Sequence, residues 1–197
     1  MQGSKIQLSP AEAALFSDAQ MILTKNSILQ KTVMLLEEVQ NELLLQAPSF
    51  LRELSPSPKI SRGENYLGLP YVILDYPRLS NGEDLFFVRS MFWWGNFFSS
   101  TLQLSGNYKQ QFTKQLGNAY DLFAERNYSV GINADPWNHH FGKDNYQTID
   151  SLSAEAFTFL LEENAHIKIA ASWPLKEWDM AANKLTGSWK FLVSLIA

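Results

Sequence analysis

Residues 84–105 read DLFFVRSMFWWGNFFSSTLQLS, and this stretch decides the fold. Two runs rich in aromatic and β-branched residues stand on either side of Gly95-Asn96. A Gly-Asn pair between such runs is typical of a two-residue β-hairpin turn of type II′, in which glycine supplies the positive φ. The stretch therefore predicts a hairpin with strands at 85–94 and 97–104.

The two-residue turn also predicts the register of the hairpin, because every cross-strand pair follows from the turn. Trp94 is expected opposite Phe97, and Trp93 opposite Phe98. In this register Arg89 lies on the more apolar of the two hairpin faces. Both faces are largely apolar, so we expect both to be covered, by helices of this chain or by another subunit.

Other segments of the chain add strands and helices to this hairpin. Apolar or alternating runs at 71–76, 128–133 and 165–173 predict three further strands. Helical spacing predicts a helix at 108–126 and another that runs to about Glu163 from a cap at Asp150, Ser151 or Ser153. The sequence thus predicts an α+β fold, with helices packed on a mainly antiparallel sheet of about five strands around the central Gly-Asn hairpin. Residues 178–196 have helical spacing but contain Gly187, so the sequence is compatible with either a helix or a strand in this segment.

The N-terminal region is expected to be helical. Ser9-Pro10-Ala11-Glu12 forms a capping box with proline at the first helical position, which marks a helix start. Asn26 or Ser27 could begin a second helix that runs to Gln46 and forms a helical hairpin with the first. A single long, kinked helix is the alternative. Residues 48–70 and 134–150 lack periodicity, so we expect irregular segments there.

Composition narrows the classes of protein to which the chain can belong. Its 197 residues suit a single domain over 1–197, and charged residues are only 18%, below the ~25% typical of soluble domains. No Lys/Arg cluster points to nucleic acid, and no run reaches the ~18 apolar residues of a membrane span. The N-terminus has no apolar signal-peptide core, so we expect a soluble, cytoplasmic protein. The chain has no cysteine, which excludes disulfides and thiolate sites.

Residues 135–144 read DPWNHHFGKD and hold two of the three histidines beside two carboxylates. Such groups could bind a divalent ion or form an acid/base pair. The simpler interpretation is that Asp135-Pro136 begins a short turn and that adjacent histidine side chains point in different directions. We therefore expect no metal and no cofactor, and an enzyme only as an alternative. The weak catalytic candidates are His139, His140, Asp135, Asp144 and His166.

Arg89 is a second candidate, because a buried guanidinium requires a carboxylate, carbonyl groups or an anionic ligand. Arg62 and Arg78 flank the neighbouring strand and could converge with Arg89 on a small anion. The alternative is a structural ion pair with a carboxylate such as Asp75.

The aromatic residues of the hairpin, Trp94 and Phe97 among them, could line a ligand pocket or a partner interface. We therefore expect a non-enzymatic binding or interaction protein that self-associates, most simply as a dimer. An enzyme or metal-binding protein that uses residues 135–144 is the second hypothesis, and a small-anion-binding protein that uses Arg89 is the third. The sequence identifies no particular small-molecule ligand.

Overall fold

Seven antiparallel strands form one sheet in the computed structural model, which describes residues 5–196. The sheet and its helices confirm the α+β class, with seven strands rather than about five. In chain order the strands are β1 (Lys59–Tyr66), β2 (Leu69–Asn81), β3 (Asp84–Trp93), β4 (Phe97–Ser105), β5 (Ser129–Gly131), β6 (Tyr146–Thr148) and β7 (His166–Pro174). Their order in the sheet is β1-β2-β3-β4-β7-β5-β6.

Strands β1 and β6 are the two that the sequence did not predict, because they fall in segments expected to be irregular. The sequence of β1, KISRGENY, is mostly polar and has a strand neighbour on one side only, namely β2. Polar residues suit such an edge strand, but they leave no apolar pattern to recognise. Strand β6 has only three residues, which is too short to show a period.

The hairpin is confirmed, but its predicted register is wrong by one residue. Trp93 pairs with Phe97 and Phe92 pairs with Phe98, so the loop has the three residues 94–96. Gly95 has the expected positive φ, at 71°. The backbone N–H of Trp94 donates to the carbonyl of Pro70 at 3.0 Å, so Trp94 continues the pairing with β2 instead of facing Phe97. Arg89 consequently lies opposite Thr101.

The helices of the described residues are α1 (Pro10–Phe16), α2 (Ala19–Gln46), α3 (Ser49–Leu54), α4 (Gly106–Gly117), α5 (Tyr120–Glu125), α6 (Ala154–Glu163) and α7 (Trp178–Ser194). The capping box of α1 is present, but α2 begins at the cap Asp18 and not near Asn26 or Ser27. Residues 108–126 form two helices, because the first ends at Gly117. Residues 178–194 are helix, which decides the open question in that region.

The main core lies between one face of the sheet, here called the helix face, and helices α2, α4 and α7. Its sheet residues include Phe86, Val88, Phe92, Phe98 and Leu102, and Trp189 of α7 stacks on Tyr76 with ring centroids 5.9 Å apart. No helix in the described part of the chain is both long and apolar enough to cross a membrane.

The opposite face of the sheet, here called the loop face, is covered by residues 132–145 between β5 and β6. We call this segment the covering loop. The Phe97 ring contacts Phe141 at a centroid distance of 5.1 Å, and Phe87 contacts Trp137 at 6.3 Å. The loop face of the hairpin is therefore covered by residues of the same chain, over the centre of the sheet.

Candidate functional site

A cluster of buried polar side chains lies between the loop face and the covering loop. Strand pairing places Asp75 opposite Arg89, and Lys168 opposite Gln103, in neighbouring rows of the sheet. His139 enters from the covering loop, and Tyr146 enters from β6. We call these residues the polar cluster: Asp75, Arg89, Gln103, His139, Tyr146 and Lys168, all of which are buried or nearly so.

Arg89 is held within this cluster by three hydrogen bonds to two residues. Its Nε and Nη2 groups donate to the two carboxylate oxygens of Asp75 at 2.7 and 2.9 Å, and its Nη1 lies 2.9 Å from Nε2 of His139. Burial, reinforced by the positive charges of Lys168 and Arg89, holds the pKa of His139 well below its usual range. A neutral His139 can accept the Nη1–H bond, so each of the three guanidinium nitrogens of Arg89 has a partner within the cluster.

Lys168 belongs to the polar cluster although, like Gln103 and Tyr146, it was not predicted from the sequence as a site residue. It is only 1% exposed, its Nζ donates to the backbone carbonyl of Asn138, and it lies 5.3 Å from the centre of the Tyr146 ring. Burial and the charge of Arg89 lower the pKa of Lys168 to about 7, although Asp135 acts in the opposite direction. Apolar and polar residues alternate around Lys168, a pattern typical of a strand with one solvent-exposed face. The covering loop buries this face, and the burial of Lys168 depends on it.

Hydrogen bonds from the cluster and its neighbours fasten the covering loop to the sheet. The hydroxyl of Tyr66 accepts the backbone N–H groups of His139 and His140 at 2.6 and 3.1 Å. Within the covering loop itself, the side-chain amide of Asn145 donates to the carbonyls of Asn138 and His140 at 3.1 and 2.7 Å and holds the loop in shape. The covering loop is thus held through its backbone groups, as expected for a segment whose role is structural.

The histidines and carboxylates proposed from the sequence do not form one site. His139 points inward to Arg89, whereas the Nε2 of His140 lies 3.0 Å from Asp144, and this hydrogen bond lowers the pKa of Asp144. Asp135 accepts the backbone N–H of Trp137 at 2.9 Å. His166 stands at the start of β7, where burial lowers its pKa. Within residues 5–196, no group of three or more such side chains could hold a metal ion.

The three arginines proposed as an anion site also do not converge. Arg62 lies in β1 opposite Val72 and lines a cleft with α2, on the helix face. Arg78 lies in β2 opposite Phe87, so it shares the loop face with Arg89. Arg78 and Arg89 nevertheless differ in their surroundings, because the guanidinium of Arg89 is occupied by Asp75 and His139.

Trp94 and Phe97 end up on different sides of the sheet. Phe97 is partly buried on the loop face against Trp93 and Phe141. Trp94 lines an apolar cleft of about 620 Å³ between the first half of α2 and the start of β2. This cleft, here called the arm cleft, also contains Met21, Ile22, Ile28 and Pro70 among its lining residues.

The N-terminal helical segment next to the arm cleft is unusually exposed. Every residue from Lys5 to Thr24 is exposed, and α1 has no buried residue. We call residues 8–23 the N-terminal arm. Its large apolar side chains, each at least 47% exposed, are Leu8, Leu15, Phe16, Met21, Ile22 and Leu23. Helical spacing places Leu15, Phe16, Ala19, Ile22 and Leu23 on one helix face and predicts that this face packs on the core. All five residues are exposed in the structure of residues 5–196.

The chain was compared with protein-family models, curated proteins and solved structures. None of the three comparisons gives a match. Function is therefore inferred from the polar cluster, the arm cleft and the N-terminal arm themselves.

Proposed function

We propose that the protein is a non-enzymatic interaction protein of the cytoplasm that self-associates as a twofold dimer through its N-terminal arm. The single observation that carries this proposal is the exposure of the arm, in which Phe16 is 84% exposed and every neighbour is exposed as well. Exposed apolar patches of this kind are typical of interaction surfaces.

The shortness of α1 supports the proposal that the arm binds a partner. It has seven residues, and isolated helices shorter than about 12 residues are marginal in water. Its capping box helps, since the Ser9 N–H donates to Glu12 at 2.7 Å, but a cap contributes only about 1 kcal/mol. A surface that buries Leu15 and Phe16 would supply the missing stabilisation.

The proposed cover for α1 is the arm cleft of a second copy. Its volume of about 620 Å³ and its apolar walls suit the side chains of Leu15 and Phe16. Because the cleft lies beside the arm of the same chain, two copies can exchange arms around one twofold axis, and a single patch covers itself. A standard interface buries about 800 Å² on each partner, which requires most of the arm to be covered.

Charge favours an antiparallel arrangement of the two α2 helices. Asp18 and Lys25 both line the arm cleft, on the same side of α2 as Met21 and Ile22. A twofold axis that passes between Met21 and Ile22 brings Asp18 opposite Lys25 of the partner subunit. Lys25 already contacts Glu64 at 2.5 Å, and this exposed pair can share the lysine with Asp18.

A second copy suits the arm better than nucleic acid or a membrane surface. Between Ile6 and Thr24 the only charged residues are Glu12 and Asp18, so the arm is acidic. Phosphate backbones and anionic lipids require lysine or arginine instead. The alternative of an enzyme that uses residues 135–144 has weaker support, because His139 points inward to Arg89 while His140 contacts Asp144.

Light scattering after size exclusion tests the proposal with a pair of phenylalanine variants. Phe16→Glu should convert the dimer to monomer without lowering the melting temperature of the monomer fold, because Phe16 packs on no core residue. Phe159→Glu is the matched control, since Phe159 is also exposed, at 61%, but lies on α6 in a cleft with residues of α4 and α5. A dimer that survives Phe16→Glu, or that is lost equally in the Phe159 variant, would refute the assignment to the arm.

A further inference from the structure

A second cleft lies at the edge of the loop face, and the proposed dimer interface does not include it. It has a volume of about 380 Å³ and lies between β1 and the bulged part of β2. Its polar lining is formed by Lys59, Ser61, Asp75, Arg78 and Ser80. We propose that this edge cleft binds an organic phosphate or carboxylate, with Arg78 and Lys59 as the anion-binding residues.

Arg78 carries the proposal because its guanidinium is only partly satisfied. The Nε atom of Arg78 is buried and has no hydrogen-bond partner among the described residues. A buried N–H without an acceptor is costly, and each such group in a folded protein calls for a missing partner. The backbone of Arg78 is fixed, since its N–H donates to the Ser55 hydroxyl at 3.0 Å.

The charge balance of the edge cleft favours an anion. Both carboxylate oxygens of Asp75 are engaged by Arg89, so the one acidic side chain of the lining is already neutralised. Among residues 5–196, neither Lys59 nor Arg78 forms a salt bridge. Lys59 lies opposite Asp75 across the β1–β2 pair, which places its ammonium group on the same face as Arg78.

The rest of the lining indicates the chemical class of the ligand. Arginine offers a planar fork that matches phosphate and carboxylate oxygens, and Ser61 and Ser80 add hydroxyl groups. Pro56, Leu79 and Phe87 form an apolar part of the same cleft. Such a lining suits an anionic head attached to an apolar body better than a free inorganic ion, and its volume falls within the range of small-ligand sites.

Titration calorimetry with phenyl phosphate, benzoate and inorganic phosphate tests this proposal at constant ionic strength. We expect phenyl phosphate or benzoate to bind more tightly than inorganic phosphate, and the stronger of these two identifies the anionic group. Arg78→Gln should weaken binding at least tenfold, and Lys59→Gln should weaken it less. Arg62→Gln is the matched control, because Arg62 lies on the helix face and should not alter binding.

Thermal unfolding of each variant checks that the fold is intact before affinities are compared. Binding that the Arg78 variant retains in full, binding that Arg62→Gln reduces equally, or the absence of heat with all three anions would overturn the proposal. Phe16→Glu should bind the anion as the parent does, so the edge cleft and the proposed dimer can fail separately.

Discussion

At the scale of single residues, Lys168 is the clearest departure from expectation, because the alternating pattern of its strand predicts an exposed side chain and the structure buries it. Its pKa is lowered to about 7 in the fold, whereas an unfolded chain keeps the ordinary value near 10.5. Between these two values the unfolded state binds more protons than the native state. Stability should therefore rise with pH across this range, by at most about 1.4 kcal/mol per pH unit for one group.

Lys168→Met isolates this contribution, because methionine has an unbranched side chain only one atom shorter than that of lysine and carries no charge. We expect the variant to be more stable than the parent near pH 7 and the advantage to shrink as the pH approaches 10. The carbonyl of Asn138 keeps a donor in the variant, since the Asn145 amide also reaches it at 3.1 Å. Urea unfolding at several pH values measures the difference, and parallel pH profiles for the two proteins would contradict the assignment.

Asp75 is the second residue whose removal should have a large effect. Asp75→Asn leaves the buried Arg89 without its counter-charge, and breaking one partner of a buried ion pair typically costs about 3–5 kcal/mol. The matched control is Glu64→Gln, which removes an exposed partner of Lys25 and should cost less than about 1 kcal/mol. Equal losses in chemical unfolding would mean that the Arg89 pair is not effectively buried.

At the scale of elements, Gly95 gives the clearest test of the hairpin loop. Gly95→Val should destabilise the protein by at least about 1 kcal/mol, because a β-branched residue resists a φ of 71° even though a Cβ there meets no neighbour. Gly187→Ala in α7 is the control, since that position also has open space and alanine is the better helix former. The two melting temperatures should move in opposite directions, and an unchanged Gly95→Val melt would place the strain elsewhere.

Elements with a strong local pattern were predictable from the sequence, and those that depend on distant contacts were not. The hairpin strands and β7 follow from runs of apolar and β-branched residues. The register failed because the bond between Trp94 and Pro70 links residues that are far apart in the chain. Strand β1 was missed because its polar residues become a strand only through pairing with β2.

The candidate site shows the same division between local and distant information. The pairing of Arg89 with Asp75 could be named in advance, since a buried guanidinium requires a carboxylate. Lys168 and the Arg78 cleft could not, because the burial of Lys168 depends on the covering loop and the orientation of Arg78 depends on the bulge in β2. A strand that alternates as β7 does predicts a wet face unless a cover is known.

At the scale of the whole molecule, the absence of cysteine allows a direct test of the antiparallel arm geometry. In the double variant Asp18→Cys/Lys25→Cys, the two sites are seven residues apart on one helix, or about 10 Å, which is too far for a disulfide within one chain. Mild oxidation should give a covalent dimer on a non-reducing gel. The single variant Lys25→Cys should give little covalent dimer. A double variant that stays monomeric on the gel would exclude this geometry.

The central claim is that the chain self-associates, and the mass of the unmodified protein in solution tests it most directly. Light scattering at about 10 µM, a concentration at which a dimer with micromolar affinity is well populated, should give twice the chain mass of 22.4 kDa. A mass of 22.4 kDa at this concentration and at tenfold higher concentration would contradict the account.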